Sequence, residues 1–425
     1  MSWDYPPRRF AACRRIMSFE SEAVMSKLPL EGIKVLDFTW VIAGPLITKC
    51  LADYGATVVR VESMTRPCFL RVSGPFKDRV VGPDNTTYFA YFNPNKYSAS
   101  LNLKKPVGLR AARKLADWAD IIVENYVPGK LAKLGLDYES VKKTNPDIIM
   151  LSTSGQGQTG PMAGIPMTGM ILVALTGFMF FSGWPGRDST QPFGPVNDFV
   201  TPSFALPAIL AALRRRKLTG QGCSIDLSQL EAGIQFLAPG ILDYTVNKRQ
   251  TGNVGNSSPE AAPHGVYPCA DNRWCAIAVF SDNEWKAFCA AMGHPETADN
   301  PMFSTFTYRK RNEDKLNELV GRWTIEHTPE HIMRTLQSAG VQAGVVQTSR
   351  DVCADPQLTA RNHFWSIKHP VIGDSISFAE PAILSETPAQ PLRPAPCLGE
   401  HTAFVASEFL NMSEQELVEL LSDEN

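Results

Sequence analysis

The chain has 425 residues, a length that predicts about two or three domains. Its 41 lysines and arginines stand against 43 aspartates and glutamates, and the net charge of -2 lacks the basic excess of proteins that bind nucleic acid. A hydrophobic share of 44% and a charged share of 20% exclude a disordered or fibrous chain and predict a globular one.

Residues 1–27 are predicted to be an N-terminal tail, with Met25 as an alternative start. This segment carries arginines and acidic residues and lacks the apolar core of a secretory signal. The nine cysteines include no C-x-x-C pair, which favours free thiols over a zinc site. We therefore expect a cytoplasmic protein.

An uncharged stretch over 161–186 raises the question of a membrane span. Pro166, Gly177 and Pro185 interrupt it, and basic anchors do not frame both of its ends. We predict a buried helix followed by a loop, and no membrane partner.

Strands and helices alternate from residue 33 to about residue 228, a pattern typical of a parallel sheet with crossover helices. The predicted strands are apolar along both faces, as buried parallel strands are. This pattern predicts an α/β fold with a doubly wound parallel sheet. The predicted elements are strands 33–38, 57–62, 120–125 and 147–152 and helices 44–54 and 104–119.

A further helix is predicted after Thr201, which would cap it, with Pro202 at its first position and Arg214 to Lys217 at its basic end. From about residue 231 the pattern becomes that of a smaller α+β unit with helices over 282–292, 311–323 and 329–339. Ser413 and Glu416 form a predicted capping box near the end of the chain.

Common cofactor and hydrolase motifs are missing from the sequence. Glu62 ends the second strand where a ribose-binding acid would stand, but the preceding turn, TWVIAGP, contains only Gly44. Neither a P-loop nor a G-x-S-x-G motif occurs. A nicotinamide enzyme therefore remains only a weak alternative.

Asp198 and the glycine-rich segment SGQGQTGP (154–161) remain as candidates, because all seven histidines lie at or beyond His264. Asp198 stands just ahead of the predicted helix and is either a cap residue or a functional carboxylate. With the ordinary aspartate pKa of ~3.9 it would be ionised at neutral pH and could attack an activated acyl group directly.

Five ordered segments resemble the family III (CaiB/BaiF) CoA-transferases over about residues 29–237, and more weakly beyond. They are PLEGIKVLDFTWVIAGP, LADYGATVVRVES, NPNKYSASLNLKKPVG, ADIIVENYVPGKLAKLGLDYESVKKTNPDIIMLSTSGQGQTGP and AALRRRKLTGQGCSIDLSQLEA. The resemblance implies a Rossmann-like large domain built from both chain ends, over 28–230 and 341–425. It also implies a small α+β domain over 231–340 and an interlocked dimer.

The resemblance further implies that Asp198 is the nucleophile. Its carboxylate would attack the donor thioester, form an acyl-aspartyl anhydride and release CoA thiolate, which returns after exchange with the acceptor acid. CoA thioesters would be substrates, with no permanently bound cofactor and no metal. The CoA contacts carry over to the backbone of Val41 and Ala43 and to Leu101, Lys104, Asn125, Tyr126 and Lys133.

Departures from the family pattern define the expected substrate pocket at Trp40, Ile42, Gly169 and His264. Ile42 replaces a glutamine of the oxalate branch, which favours a bulky or aromatic acid. Gly169 replaces an acidic residue of other branches of the family, which argues against an α-methylacyl-CoA racemase. His264 is either close to the reacting acyl group or a structural loop residue.

The segments FTWVIAGP, APHGVYPCADNRWCAIAV and SGWPG most resemble the succinyl-CoA:(R)-benzylsuccinate CoA-transferases within the family. This implies a succinyl-CoA donor, an aromatic dicarboxylic acceptor and either a homodimer or a heteromer with a homologous subunit. The alternative is a non-catalytic partner subunit of such a transferase. This alternative stays open because the chain departs from the family pattern at Ser63, Pro166 and Gly169.

Overall fold

The structure, a computed structural model, describes residues 27–423. The predicted tail therefore lies outside the described residues, apart from Lys27.

Six parallel strands form the main sheet, in the order β3-β2-β1-β4-β5-β6. This is the doubly wound order, in which the direction of winding reverses between β1 and β4. The predicted fold class is confirmed. The strands are β1 Lys34–Asp37, β2 Thr57–Glu62, β3 Lys96–Ser100, β4 Ile121–Glu124, β5 Ile149–Ser154 and β6 Cys223–Ser228.

Helices cover both faces of this sheet, and others belong to the smaller unit. In chain order they are α1 Ala43–Asp53, α2 Phe69–Val72, α3 Thr87–Phe92, α4 Pro106–Trp118, α5 Tyr138–Val141, α6 Gly169–Thr176, α7 Phe178–Phe181, α8 Val196–Val200, α9 Pro202–Thr219, α10 Gln229–Ile234, α11 Ala238–Asn247, α12 Asp282–Ala291, α13 Phe306–Arg311, α14 Glu313–Thr324, α15 Pro329–Ser338, α16 Ser349–Cys353, α17 Pro356–Ala360, α18 Thr402–Phe404 and α19 Glu414–Asp423.

Successive residues of the central strands pack on opposite sides of the sheet, because strand side chains alternate. Val35 of β1 belongs to a core with Ile47 of α1 and Ile209 of α9. Its neighbour Leu36 belongs to the other core, with Leu115 of α4. The sheet therefore has a separate hydrophobic core on each face.

The four predicted strands are present, but β3 and β6 were not predicted. Their sequences, KYSAS and CSIDLS, are short and rich in small polar residues, so they lack the apolar run that marks the other strands. The two unpredicted strands are the outermost ones of the sheet.

Two details of the predicted helices are wrong. Thr201 has helical backbone angles and no capping bond, and its hydroxyl donates to the carbonyl of Asn197, so α8 leads into α9. The predicted buried helix within 161–186 is the short α6, which buries Leu172 and Val173 but leaves Ile171 exposed.

Within the described part of the chain, one stretch, Val196–Thr219, is long and apolar enough to cross a membrane. A single such helix is weak evidence for a membrane span, because core helices of globular proteins meet the same criterion. It packs against the main sheet through Ala205 and Ile209, as a core helix of a globular domain does.

A second sheet has three antiparallel strands, β7 His264–Pro268, β8 Trp274–Ala278 and β9 Gln342–Val345. Its core includes Trp285 and Phe288 of α12, whose rings stack with centroids 5.5 Å apart. The strands β10 Phe364–His369 and β11 Gly373–Phe378 then form a hairpin.

The C-terminal segment packs beside β3. The backbone N–H of His401 donates to the carbonyl of Ser98 at 2.9 Å, and Val405 enters the core that contains Leu36. The predicted capping box of α19 is present, since Ser413 and Glu416 bond reciprocally.

Candidate active site

A cavity of about 360 Å³ lies where the winding of the main sheet reverses. Two of its sides are the loops that follow β1 and β4, represented by Trp40 and Tyr126. Gly169 and Asp198 belong to a third side. In open α/β sheets ligands bind outside the carboxyl ends of the strands at this reversal, so the cavity occupies the expected position of a binding site.

Asp198 lies ahead of the predicted helix α9, as expected, but within the first turn of a short additional helix, α8. Its side chain is only 7% exposed, and its carboxylate has no hydrogen-bond partner within residues 27–423. Burial raises the pKa of Asp198 to about 7, so the ordinary pKa assumed from sequence is wrong. The ionised form carries no stabilising bonds, which leaves its oxygens free to act as a nucleophile.

Gly169 allows the start of α6 to approach Asp198 closely. A methyl group added at Gly169 would lie 2.2 Å from Cβ of Pro195 and 3.1 Å from Oδ2 of Asp198. The acidic side chain that the family resemblance leads us to expect at this position therefore has no room in this backbone arrangement.

The loop Trp40–Ala43 is held by side chains of the neighbouring loop. Asn125 accepts from the backbone N–H of Trp40 at 2.7 Å and donates to its carbonyl at 2.8 Å. The indole N–H of Trp40 donates to the hydroxyl of Tyr126 at 3.0 Å. The side chain of Asn125 thus positions this loop, which lines the cavity.

Val41 adopts a left-handed backbone conformation, with φ of 65°, which is rare for a β-branched residue. Its backbone N–H points to the sulfur of Cys68 at 3.5 Å. The next residues, Ile42 and Ala43, line the cavity and lead into α1. An unusual backbone turn therefore shapes the wall where the family resemblance expects CoA.

Gly44 and the buried carboxylate of Asp37 stabilise the residues on either side of this turn. A Cβ on Gly44 would lie 2.3 Å from Cβ of Thr39, so only glycine permits this packing. Asp37 accepts from Lys96 at 3.1 Å and from Thr48 at 2.6 Å. Burial alone would raise the pKa of Asp37, but the nearby cations, Lys96 first, hold it below its usual value.

Four predicted site residues lie outside the cavity. Leu101 belongs to a hydrophobic core, and Lys104 and Lys133 are exposed. The ring of His264 bonds the carbonyl of Asn256 at 2.6 Å. The structure brings together the other expected residues, which are Trp40, Val41, Ile42, Ala43, Asn125, Tyr126, Gly169 and Asp198.

Ser154 and Gly155, the first residues of the candidate segment SGQGQTGP, also line the cavity, together with Gln229, which sequence reasoning missed. Two of them stand at the carboxyl end of a strand, Ser154 ending β5 and Gln229 following β6. The rule that ligands bind at these ends could have identified Gln229 if β6 had been predicted.

The residues that line the cavity include no lysine, arginine or histidine. A cation lies beside this wall, since the guanidinium of Arg66 is 5.1 Å from the ring centroid of Trp40. Within residues 27–423, no group of three or more histidine, cysteine, aspartate or glutamate side chains could hold a metal ion. The reactive group that the site offers is therefore a carboxylate.

Glu62 does not support the nicotinamide alternative. Arg71 binds its carboxylate through two nitrogens, with Nε 3.0 Å from Oε1 and Nη2 2.7 Å from Oε2. Glu62 is 4% exposed, so it has no free edge for a ribose.

The model of CoA-transferase family III matches residues 30–402, and the chain belongs to this family. It is an enzyme that acts on CoA thioesters and carboxylic acids.

Two curated relatives cover almost the whole chain. The chain is 30% identical to the succinyl-CoA–D-citramalate CoA-transferase of Chloroflexus aurantiacus, over 92% of this chain and 96% of the relative. It is 31% identical to the succinyl-CoA:glutarate CoA-transferase of Homo sapiens, over 93% of this chain and 89% of the relative.

A solved structure of a CaiB/BaiF family protein from Brucella suis superimposes with a TM-score of 0.84. The sequences are 29% identical, and the match covers 90% of this chain and 100% of the other. The fold is therefore that of the family.

Proposed function

We propose that the protein transfers CoA from an acyl-CoA donor to a carboxylic acid through a covalent anhydride on Asp198. The observation that carries this proposal is the carboxylate itself, which is buried, lines the cavity and has no hydrogen bond within the described residues. A carboxylate without hydrogen bonds is a stronger nucleophile than a solvated one.

An oxygen of Asp198 bonds to the donor's thioester carbon, the C–S bond breaks, and the sulfur leaves as CoA thiolate. The acceptor carboxylate then replaces the donor acid on the anhydride. The thiolate attacks the acceptor's carbonyl carbon, and Asp198 leaves as a carboxylate. Each step exchanges one anion for another, so the cycle needs no net proton transfer, in keeping with a cavity lining that has no histidine.

We propose succinyl-CoA as donor, because both curated relatives above are named for it. For the acceptor we propose a carboxylic acid with a bulky or aromatic body, such as (R)-benzylsuccinate. Trp40, Ile42 and Leu172 give the cavity an apolar wall that suits such a body.

We propose that CoA binds along the loop Trp40–Ala43 and Tyr126, as the resemblance implies. Its phosphates would meet the exposed Lys104 and Lys133, with Arg66 at the wall formed by Trp40.

Large apolar side chains lie exposed on the described chain outside the cavity, among them Trp184, Phe193, Leu242 and Val246. Leu242 and Val246 lie one turn apart on α11 and line the same open pocket, and exposed apolar surface of this kind commonly marks a protein interface. We propose that a second copy or a homologous subunit covers it, and that the enzyme acts in the cytoplasm.

The test is intact-protein mass spectrometry after incubation with succinyl-CoA, followed by hydroxylamine, which converts an aspartyl anhydride to a hydroxamate. Peptide mapping is expected to locate the hydroxamate at Asp198. Asp198→Ala is expected to abolish labelling and transfer, whereas Asp147→Ala, at the exposed opposite end of β5, leaves both unchanged. Full transfer by Asp198→Ala would refute the mechanism.

The second candidate, a non-catalytic partner subunit, is favoured by Gly169, which stands where other branches carry an acid. It predicts no hydroxamate with any acyl-CoA from the pure chain, and labelling of a homologous chain instead. A hydroxamate at Asp198 excludes this candidate.

A further inference from the structure

The cavity has a polar edge beside its apolar wall. Ser154 and Gln229 belong to this edge, and both are more than nine-tenths buried, with exposed fractions of 6% and 7%. Neither side chain has a role in the mechanism proposed above.

The backbone of Gln229 is fixed on two sides. Its carbonyl accepts from Nδ2 of Asn197, the residue before Asp198, at 3.0 Å. The N–H of the next residue, Leu230, donates to the carbonyl of Gly155 at 2.9 Å. These bonds hold Gln229 at a fixed position relative to the nucleophile.

The side-chain amide of Gln229 has no hydrogen-bond partner within the described chain, residues 27–423. Ser154, which is paired with Ser228 across β5 and β6, has a buried hydroxyl that also lacks a partner among these residues. A buried hydroxyl without a partner is unfavourable, so Ser154 calls for a ligand, and beside it the amide of Gln229 lines the cavity with its hydrogen-bonding groups unused.

The lining contains no cation, as described above. A polar substituent on a bound acyl group must therefore be met by neutral groups. A primary amide offers two donors and an acceptor, which suits either a hydroxyl or a carboxylate.

We propose that Gln229 is a specificity-determining residue, whose side-chain amide hydrogen-bonds a hydroxyl or carboxyl substituent on the acyl group that Asp198 carries, with Ser154 as a second donor. This inference rests on the proposed function, because it requires an acyl group on Asp198. It divides recognition between the apolar wall, which takes the body of the acid, and the polar edge, which takes its substituent.

The experiment compares succinyl-CoA with butyryl-CoA, which differ in a terminal carboxylate against a methyl group. The rate of hydroxylamine-trapped labelling at Asp198 is measured for each donor with the full chain. The wild type is expected to favour succinyl-CoA. Gln229→Leu is expected to lower the succinyl rate about 10- to 100-fold and to leave the butyryl rate unchanged, since it removes one amide partner from a buried polar group.

Gln229→Met, which keeps the length of the side chain without its amide, is expected to give the same loss of selectivity and covers the case in which the leucine variant misfolds. Gln221→Leu, an exposed glutamine before β6, is the matched control and keeps the wild-type ratio. Ser154→Ala is expected to reduce the ratio by a smaller factor.

Two results overturn the assignment of Gln229 alone: an unchanged succinyl-to-butyryl ratio in both variants, or equal losses with both donors, which would indicate a structural role. Absence of any label at Asp198 in the wild type overturns the proposed function, and this inference with it.

Discussion

Asp198 combines strong burial with a complete lack of hydrogen bonds within the described residues, and this combination determines how its activity depends on pH. Because burial raises the pKa of Asp198 to about 7, roughly half of the carboxylates are protonated at pH 7. In the mechanism proposed above, the protonated form does not attack a thioester, so the pKa of Asp198 would set the fraction of active enzyme.

We therefore expect the rate of acyl transfer to Asp198 to rise with pH through an apparent pKa near 7. Below pH 6 the rate should fall about tenfold per pH unit. Single-turnover labelling with succinyl-CoA between pH 5.5 and pH 8.5 measures this profile. A rate that stays constant across this range would show that the carboxylate is solvated in the working enzyme, with its ordinary pKa of ~3.9.

The same burial makes Asp198 costly for folding. Its pKa is about 7 when folded and about 3.8 when unfolded, so the native state binds more protons between these values. The stability of the wild type should consequently fall as pH rises from about 4 to 7 and stay at the lower level above 7. An active-site group that destabilises its own fold is a known trade-off.

At pH 8 the variant Asp198→Asn, which cannot ionise at this position, is expected to have a larger free energy of unfolding than the wild type. The gain is at most about 4 kcal/mol, from 1.36 kcal/mol per pKa unit, and should vanish near pH 4. Urea unfolding of both proteins at pH 4.5 and pH 8 tests this. A constant difference across pH would mean that ionisation is not its cause.

At the level of elements, the contact between α6 and the α8 turn decides the geometry of the site. The two helices meet where Gly169 faces Pro195, and the separation leaves no space for a side chain. This packing could not be predicted from sequence, because Gly169 was identified only as a missing acid and its close contact depends on tertiary structure. Asp198, in contrast, was a candidate from the sequence as a carboxylate ahead of a predicted helix, and the family resemblance assigned it the role of nucleophile.

Gly169→Ala is expected to push α6 away from Pro195 and to displace Asp198, lowering transfer at least tenfold because catalysis depends on exact placement of the nucleophile. Steady-state kinetics and thermal unfolding measure the two consequences. Gly164→Ala is the matched control, since an added methyl group there contacts nothing within 4 Å. Equal activity of the two variants would show that α6 moves freely.

Across the whole molecule, the central strands were predictable and the edges of the sheet were not. β1, β2, β4 and β5 each contain at least two adjacent large apolar residues, whereas KYSAS of β3 and CSIDLS of β6 contain no such pair. The cavity follows from the strand order, but Gln229 escaped prediction because it stands at the end of one of the missed strands. The contacts of the C-terminal segment with β3 join residues far apart in the chain, so no local pattern reveals them.

Asn95 is one of the residues that link these distant parts. Its amide nitrogen donates to Asp53 at 2.6 Å and to the carbonyl of Gln390 at 2.9 Å. Its oxygen accepts from the backbone N–H groups of Leu392 and Arg393, at 2.7 and 2.8 Å. One buried side chain thereby joins α1, the start of β3 and the C-terminal segment.

Asn95→Ala should therefore destabilise the protein by about 3 kcal/mol or more, because it leaves several buried polar groups without partners. Its left-handed backbone, with φ of 63°, also favours asparagine over alanine. Asn411→Ala controls for this second effect, since Asn411 has φ of 48° but is exposed and its side chain makes no recorded hydrogen bond among the described residues. Urea unfolding gives the difference, and limited proteolysis should release the segment after residue 385 earlier in Asn95→Ala. If both variants lost the same stability, backbone conformation alone would explain the effect, and the C-terminal segment would be held by its apolar contacts.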